Sequence, residues 1–154
     1  MKSVVNKASA LGKIILIILF IIYLSYLFYL TFFSHLYGRE YFHRSINLIP
    51  FRTIYQYMTT SYNNKIVVIN MLGNIAAFGP MGFLLPMVSK KFAGLWGTLL
   101  FAAGISLMIE ITQYAFGIGA ADIDDLFLNL AGGLLGYGIY KLVGMVYEKL
   151  MRLS

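Results

Sequence analysis

The chain has 154 residues, of which 60% are hydrophobic and 12% charged, with a net charge of +6 and no cysteine. A soluble domain has about 25% charged residues, so this composition predicts an integral membrane protein, with residues 1–154 forming one domain. The lack of cysteine excludes disulfides and cysteine-ligated metals. The basic residues lie at the ends of apolar runs and form no stripe, which argues against nucleic-acid binding.

Four apolar segments are long enough to cross the ~30 Å hydrocarbon core of a bilayer. The first, residues 14–33, contains no charge, and it exceeds the apolar core of a cleaved signal peptide. The other three are residues 66–88, 92–116 and 122–147. We therefore predict an all-α, polytopic helical bundle with four transmembrane helices.

A long polar connection, residues 34–65, separates the first two spans. Within it, residues 51–60 follow a proline and favour a short helix at the membrane interface. Pro80 and Pro86 predict a kink or a break in the second span, which a bundle tolerates if neighbouring groups satisfy the freed carbonyls.

The basic residues also predict the orientation. With the N-terminus inside, eight basic residues lie on the inner side and four on the outer side, which favours cytoplasmic N- and C-termini. The four on the outer side are Arg39, Arg44, Arg52 and Lys65.

Four of the six acids lie within residues 110–125, inside or beside apolar spans. Each costs at least about 2.5 kcal/mol at the centre of a membrane helix, so the cluster needs a reason. Antiparallel spans place the start of the second, the end of the third and the start of the fourth in one leaflet, at depths of roughly 5–12 Å. The polar residues sharing that depth are Asn70, Asn74, Glu110, Gln113, Asp125 and Asn129.

These residues predict a polar pocket that opens at the membrane surface. The amides would hydrogen-bond sugar or amide groups of a ligand, and Glu110, Asp122 and Asp125 would engage donors or a cation. A purely structural role stays open, because buried amides and carboxyls also join membrane helices. Asp122 could then be an N-cap, with Asp124 and Asp125 in the first helical turn, where the helix dipole favours anions.

An enzyme is a second alternative. A divalent cation could be held by Glu110, Asp122, Asp124 and Asp125, with a lipid phosphate or glycolipid as substrate. Glu110 or Asp125 could instead act as a general acid or base, with His35 or His43 as a partner. Arg44 and Arg52 could clamp a phosphate. The sequence shows no nucleophile motif.

Small residues form a further pattern in the fourth span. Gly132 and Gly136 follow the spacing G-x-x-x-G, which allows two helices to approach closely. The spacing fits packing within the chain and dimerisation equally well, so the oligomeric state stays open.

Three blocks, in this order, resemble the VanZ-like family of bacterial membrane proteins. They are NLIPFRTI at residues 47–54, N-x-x-G-N-I-x-x-F-x-P-x-G-F-L-x-P at residues 70–86, and E-x-x-Q with D-I-D-D-L-x-x-N-x-x-G-x-x-x-G-Y at residues 110–137. The resemblance implies a multi-pass protein of the bacterial plasma membrane and a role in the cell envelope. The founding member is associated with resistance to the glycopeptide teicoplanin. The implied partners are membrane lipid and a lipid-linked cell-wall precursor or a lipoglycopeptide.

One position departs from the family pattern. Many members carry an arginine three residues before the first Asp of the D-I-D-D run, where this chain has Gly119. If the family's arginine neutralises the acids, either an arginine of the long connection, such as Arg52, does so here, or the role is absent.

Overall fold

A computed structural model describes residues 10–33, 45–59 and 64–153. Over these residues, four long helices are apolar enough to cross a membrane, and a short helix lies between the first two. The predicted all-α membrane bundle is confirmed. The expectations for His35, Arg39, His43 and Arg44 lie outside the described residues, as does the side chain of Lys65. The helices are α1 (Ala10–Phe33), α2 (Arg52–Thr59), α3 (Asn64–Val88), α4 (Leu95–Phe116) and α5 (Ile123–Leu153).

The α3 helix is continuous through both of its prolines. Of the two predicted alternatives, a break is therefore wrong and a kink stays a prediction. A proline removes a single hydrogen bond from the helix, and the tight packing of α3 against α5 holds the chain in helical form on either side of it.

Close packing of α3 on α5 depends on glycines. A Cβ atom added to Gly132 would lie 2.1 Å from the carbonyl oxygen of Ile75, and one added to Gly136 would lie 1.9 Å from that of Gly79. No other residue fits at these two positions without separating the backbones. The G-x-x-x-G face predicted from the sequence thus serves a contact within the chain.

The apolar core lies where three of the long helices meet. Buried side chains come from α3, α4 and α1, and much of the remaining apolar surface of α1 and α5 faces outward. Outward-facing apolar helices suit a lipid solvent, because each helix satisfies its own backbone hydrogen bonds. The core residues are Phe20, Leu27, Phe78, Met81, Leu85, Ala102 and Ile109.

Two short strands join distant parts of the chain at one end of the bundle. Strand β1 (Ile46–Asn47) pairs in parallel with β2 (Ala121–Asp122), with Asn47 opposite Asp122. The Ala121 amide also donates to the Ser45 carbonyl at 3.0 Å. This bridge fastens the segment before α2 to the connection between α4 and α5.

Candidate functional site

A cavity of about 200 Å³ lies at the end of the bundle where α3 and α5 begin and α4 ends. All five helices and the α4–α5 connection contribute to its wall. The structure brings together around it every residue that the sequence predicted to bind a ligand, except Arg52; the binding itself stays a prediction. The polar lining residues are Thr31, Thr53, Tyr57, Asn70, Asn74, Glu110, Gln113, Asp122, Asp125 and Asn129.

The deeper part of the cavity is apolar. Ala77 and Phe78 lie about one helical turn below Asn74 on α3, and Ile109 directly precedes Glu110 on α4. The buried side chain of Leu27 adds an apolar contribution from α1. The lining therefore changes from polar near the bundle end to apolar toward the bilayer centre.

Two of the lining carboxylates connect separate elements. The Glu110 Oε2 atom accepts a hydrogen bond from the Asp122 backbone amide at 2.8 Å, which ties α4 to β2. The Asp125 Oδ1 atom accepts one from Asn74 Nδ2 at 2.7 Å, which ties α5 to α3. Glu110 is only 7% exposed, so this carboxylate is largely removed from water. Charge-assisted bonds of this kind are about twice as strong as neutral ones.

The side-chain amides around the cavity differ in which of their atoms have a hydrogen-bond partner. Asn70 Nδ2 donates to the Tyr57 hydroxyl at 3.0 Å, and Gln113 Nε2 makes a long contact of 3.4 Å with the Thr31 carbonyl. Asn129 Nδ2 donates to Ser106 Oγ at 2.9 Å. The Asn129 Oδ1 atom, however, is buried and has no hydrogen-bond partner among the described residues. A buried acceptor without a partner is rare in proteins.

Asp122 has its carboxylate occupied by the chain itself. Its Oδ1 atom accepts from Asn47 Nδ2 and from the Asp124 amide, both at 2.9 Å, and its Oδ2 atom accepts from the Thr53 hydroxyl. The bond to the Asp124 amide makes Asp122 the N-cap of α5, as the structural alternative supposed. Asp122 lines the cavity and also fastens β1 and α2 to its rim.

Asp124 is fully buried, and its hydrogen bonds hold the start of α2 in place. Its carboxylate accepts backbone amide hydrogen bonds from Phe51, from Thr53 at 2.8 Å and from Ile54 at 3.1 Å. These are amides at the start of α2, where the helix dipole favours an anion. Phe51 adopts a φ of 64°, which is unusual for a residue with a side chain, and its ring stacks on Phe127 at 5.5 Å.

The predicted cation ligands therefore differ in their surroundings. Asp124 does not line the cavity, whereas Glu110, Asp122 and Asp125 do. Over residues 10–33, 45–59 and 64–153, no group of three or more His, Cys, Asp or Glu side chains is arranged to hold a metal ion. A divalent cation at this site stays a prediction.

Arg52 is exposed on α2 and is absent from the cavity lining. Sequence reasoning did not select Tyr57 or Ser106 as site residues, although they hydrogen-bond the lining amides Asn70 and Asn129. Thr53 does lie in the block NLIPFRTI, so the resemblance was the one signal that marked its segment.

Comparisons with known proteins agree with the three sequence blocks. The model of one protein family, described as VanZ/LLP1, matches residues 20–144. A curated relative, Protein VanZ of Enterococcus faecium, is 38% identical over 102 residues, which cover 66% of this chain and 56% of the relative. The chain thus matches little more than half of that relative's length. No solved structure is significantly similar. The chain belongs to the VanZ/LLP1 family.

Proposed function

We propose that this protein acts in the bacterial cell envelope by binding the head group of a membrane amphiphile in the cavity at the end of the bundle. One observation carries the proposal: the lining is polar near the bundle end and apolar one turn deeper. An amphiphile in a bilayer has the same order of polarity along its length. Asn70, Asn74, Glu110 and Asp125 would face its polar groups, and Leu27 and Phe78 its first apolar carbons.

The orientation expected from the basic residues supports a place in the outer leaflet. With both termini in the cytoplasm, the cavity opens toward the outside of the cell, where cell-wall synthesis is completed and glycopeptides act. A lipid-linked cell-wall precursor meets both requirements, since its polar group is exposed there and its chain lies in the bilayer.

The size of the cavity favours a head group over a whole antibiotic. Pockets for drug-sized ligands measure about 300–1,000 Å³, and a lipoglycopeptide is larger than such a ligand. About 200 Å³ holds only part of an amphiphile. We therefore favour the lipid-linked precursor over the lipoglycopeptide. A link to teicoplanin resistance would follow from retaining an amphiphile that the antibiotic needs for its action.

The test separates binding from helix cohesion. Glu110→Gln and Asp125→Asn would be produced one at a time, with membrane accumulation and teicoplanin susceptibility measured separately. Each substitution keeps an oxygen acceptor, so we expect normal accumulation and a lost effect on susceptibility. Thr98→Val serves as the control, because Thr98 is buried like Glu110 but donates to the Phe92 carbonyl outside the cavity.

Two results would oppose the proposal. Loss of the protein in both cavity variants, with Thr98→Val accumulating normally, would assign the carboxylates to helix cohesion. An effect on susceptibility that depends on a divalent ion and disappears with a chelator would instead support a metal-assisted enzyme.

A further inference from the structure

We infer that the apolar chain of the bound amphiphile leaves the cavity between α1 and α4; the inference rests on the proposed function and adds the path of the chain. The cavity, at about 200 Å³, holds the polar part of an amphiphile but not its chain. Its apolar wall includes Leu27, Phe78 and Ile109, which are 2%, 2% and 4% exposed. The chain must therefore pass between two helices to reach the bilayer.

The two contacts of α5 with its neighbours are closed by small residues. On the α3 side, a Cβ atom added to Gly132 would collide with the backbone of α3. On the α4 side, one added to Gly133 would lie 3.4 Å from the Ala102 Cβ atom, and one helical turn toward the cavity Asn129 donates to Ser106. A chain could pass on either side of α5 only if two helix backbones separated.

The α1 helix is attached in a different way, through large side chains. Those that pack on the core are Phe20, Tyr23, Leu24, Leu27, Phe28 and Phe32. Such a contact can open through changes of rotamer. On the α3 side, however, the Tyr23 hydroxyl donates to the Ala77 carbonyl at 2.7 Å, and Ala77 itself lines the cavity. This short hydrogen bond closes the gap between α1 and α3 at the depth where a chain would leave.

The contact between α1 and α4 is held least firmly at the level of the cavity. Gln113 Nε2 lies 3.4 Å from the Thr31 carbonyl, beyond the usual range for such a bond of about 2.7–3.2 Å. Deeper in the bundle, the rings of Phe20 and Phe101 lie 6.5 Å apart. From Phe20 to Thr31 α1 rises roughly 16 Å, close to the roughly 15 Å of hydrocarbon in one leaflet. Opening of the Gln113–Thr31 contact would thus admit a chain from a single leaflet.

The test follows the chain by photolabelling. The full-length protein in phosphatidylcholine vesicles would receive a polyprenyl diphosphate that bears N-acetylglucosamine and a diazirine within its chain, and mass spectrometry would identify the labelled residues. We expect label at Leu27. Leu85 is the matched control, because it is also 2% exposed but does not line the cavity, and it should stay unlabelled. Ile22, at 59% exposure, reports contact with bulk lipid.

A cross-link tests the path itself. Thr31→Cys combined with Gln113→Cys gives a unique pair, because the chain has no cysteine. Joining the pair with a short bismaleimide before the probe is added should abolish the label at Leu27 and leave that at Ile22. The same variant capped with N-ethylmaleimide is the reference, since it lacks both side chains but leaves the helices unjoined. Equal labelling of the joined and capped forms would overturn the path between α1 and α4.

The outcomes separate this inference from the proposed function. Label at Leu27 no higher than at Leu85, with the probe still retained in native mass spectrometry, would overturn the path and leave binding intact. That comparison uses the unchanged protein, so it holds even if the cysteine variant fails to fold. Failure to retain the probe, combined with an unchanged susceptibility effect in Glu110→Gln and Asp125→Asn, would overturn the proposed function itself.

Discussion

The Asp124 carboxylate and the Thr53 backbone amide are joined by a 2.8 Å hydrogen bond, although the two residues are 71 positions apart in the sequence. Asp124 is completely buried and also receives the amides of Phe51 and Ile54. An acid of the conspicuous D-I-D-D run therefore positions α2, and α2 in turn supplies Thr53 and Tyr57 to the cavity wall.

Replacing Asp124 with Asn should detach α2. The amide retains one acceptor and presents an NH₂ group to backbone donors, so at least one charge-assisted bond is lost. We expect the free energy of unfolding in detergent to fall by about 3 kcal/mol, and protease cleavage within residues 45–59 to become faster. Asp125→Asn is the comparison, since Asp125 is only half-buried; an equal loss in both variants would contradict the assignment.

Gly136→Ala should separate α3 from α5. The new Cβ would lie 1.9 Å from the Gly79 carbonyl oxygen, a distance that only backbone movement can relieve. We expect a stability loss of at least about 2 kcal/mol and reduced membrane accumulation. The matched control is Gly138→Ala on the same helix, which meets no atom within 4 Å and should leave accumulation unchanged. Similar behaviour of the two variants would show that α5 does not depend on close approach.

Tyr57→Phe should weaken ligand retention while the fold persists. The substitution removes the hydroxyl that accepts from Asn70 Nδ2 at 3.0 Å. One neutral hydrogen bond contributes about 1 kcal/mol, so the Asn70 amide is held less firmly and the purified protein should retain less co-purified membrane lipid in native mass spectrometry. Tyr55→Phe is the control on the same helix, because Tyr55 is 67% exposed and does not line the cavity. Equal retention by both variants would remove Tyr57 from the binding surface.

Gly119→Arg should change the charge of the cavity without disturbing the fold. Gly119 lines the cavity, has no positive φ, and a Cβ there would make an ordinary contact of 3.5 Å with the Gln113 side chain. We expect normal accumulation and loss of the effect on teicoplanin susceptibility, because a guanidinium would add a positive charge and a long side chain to the cavity wall. Gly119→Met supplies similar length without charge; if it causes the same loss, the filled volume is responsible and not the charge.

The four membrane spans and the shared depth of the polar residues could be predicted, because both depend on local properties of the sequence. Apolar length defines a span, and antiparallel order then assigns Asn70, Glu110 and Asn129 to one leaflet without knowledge of side-chain contacts. The partners of Asp122 and Asp124 could not be predicted, since they are backbone amides and side chains about 70 residues away. A carboxylate that binds a ligand and one that accepts backbone amides have the same appearance in a sequence. The sequence could not decide between a kink and a break in α3, because the continuity of a helix that contains prolines depends on tertiary packing.

The pairing of β1 with β2 also has a consequence for biogenesis. Residues 45–59 leave the ribosome well before residues 121–125, so their hydrogen-bond partners do not yet exist when the first three apolar segments are being synthesised. Strand β1 and the α2 amides must remain solvated at the membrane surface until the last hairpin has been inserted. The β1–β2 pairing therefore forms only after the last hairpin has been inserted. A chain that stops before β2 cannot form the site.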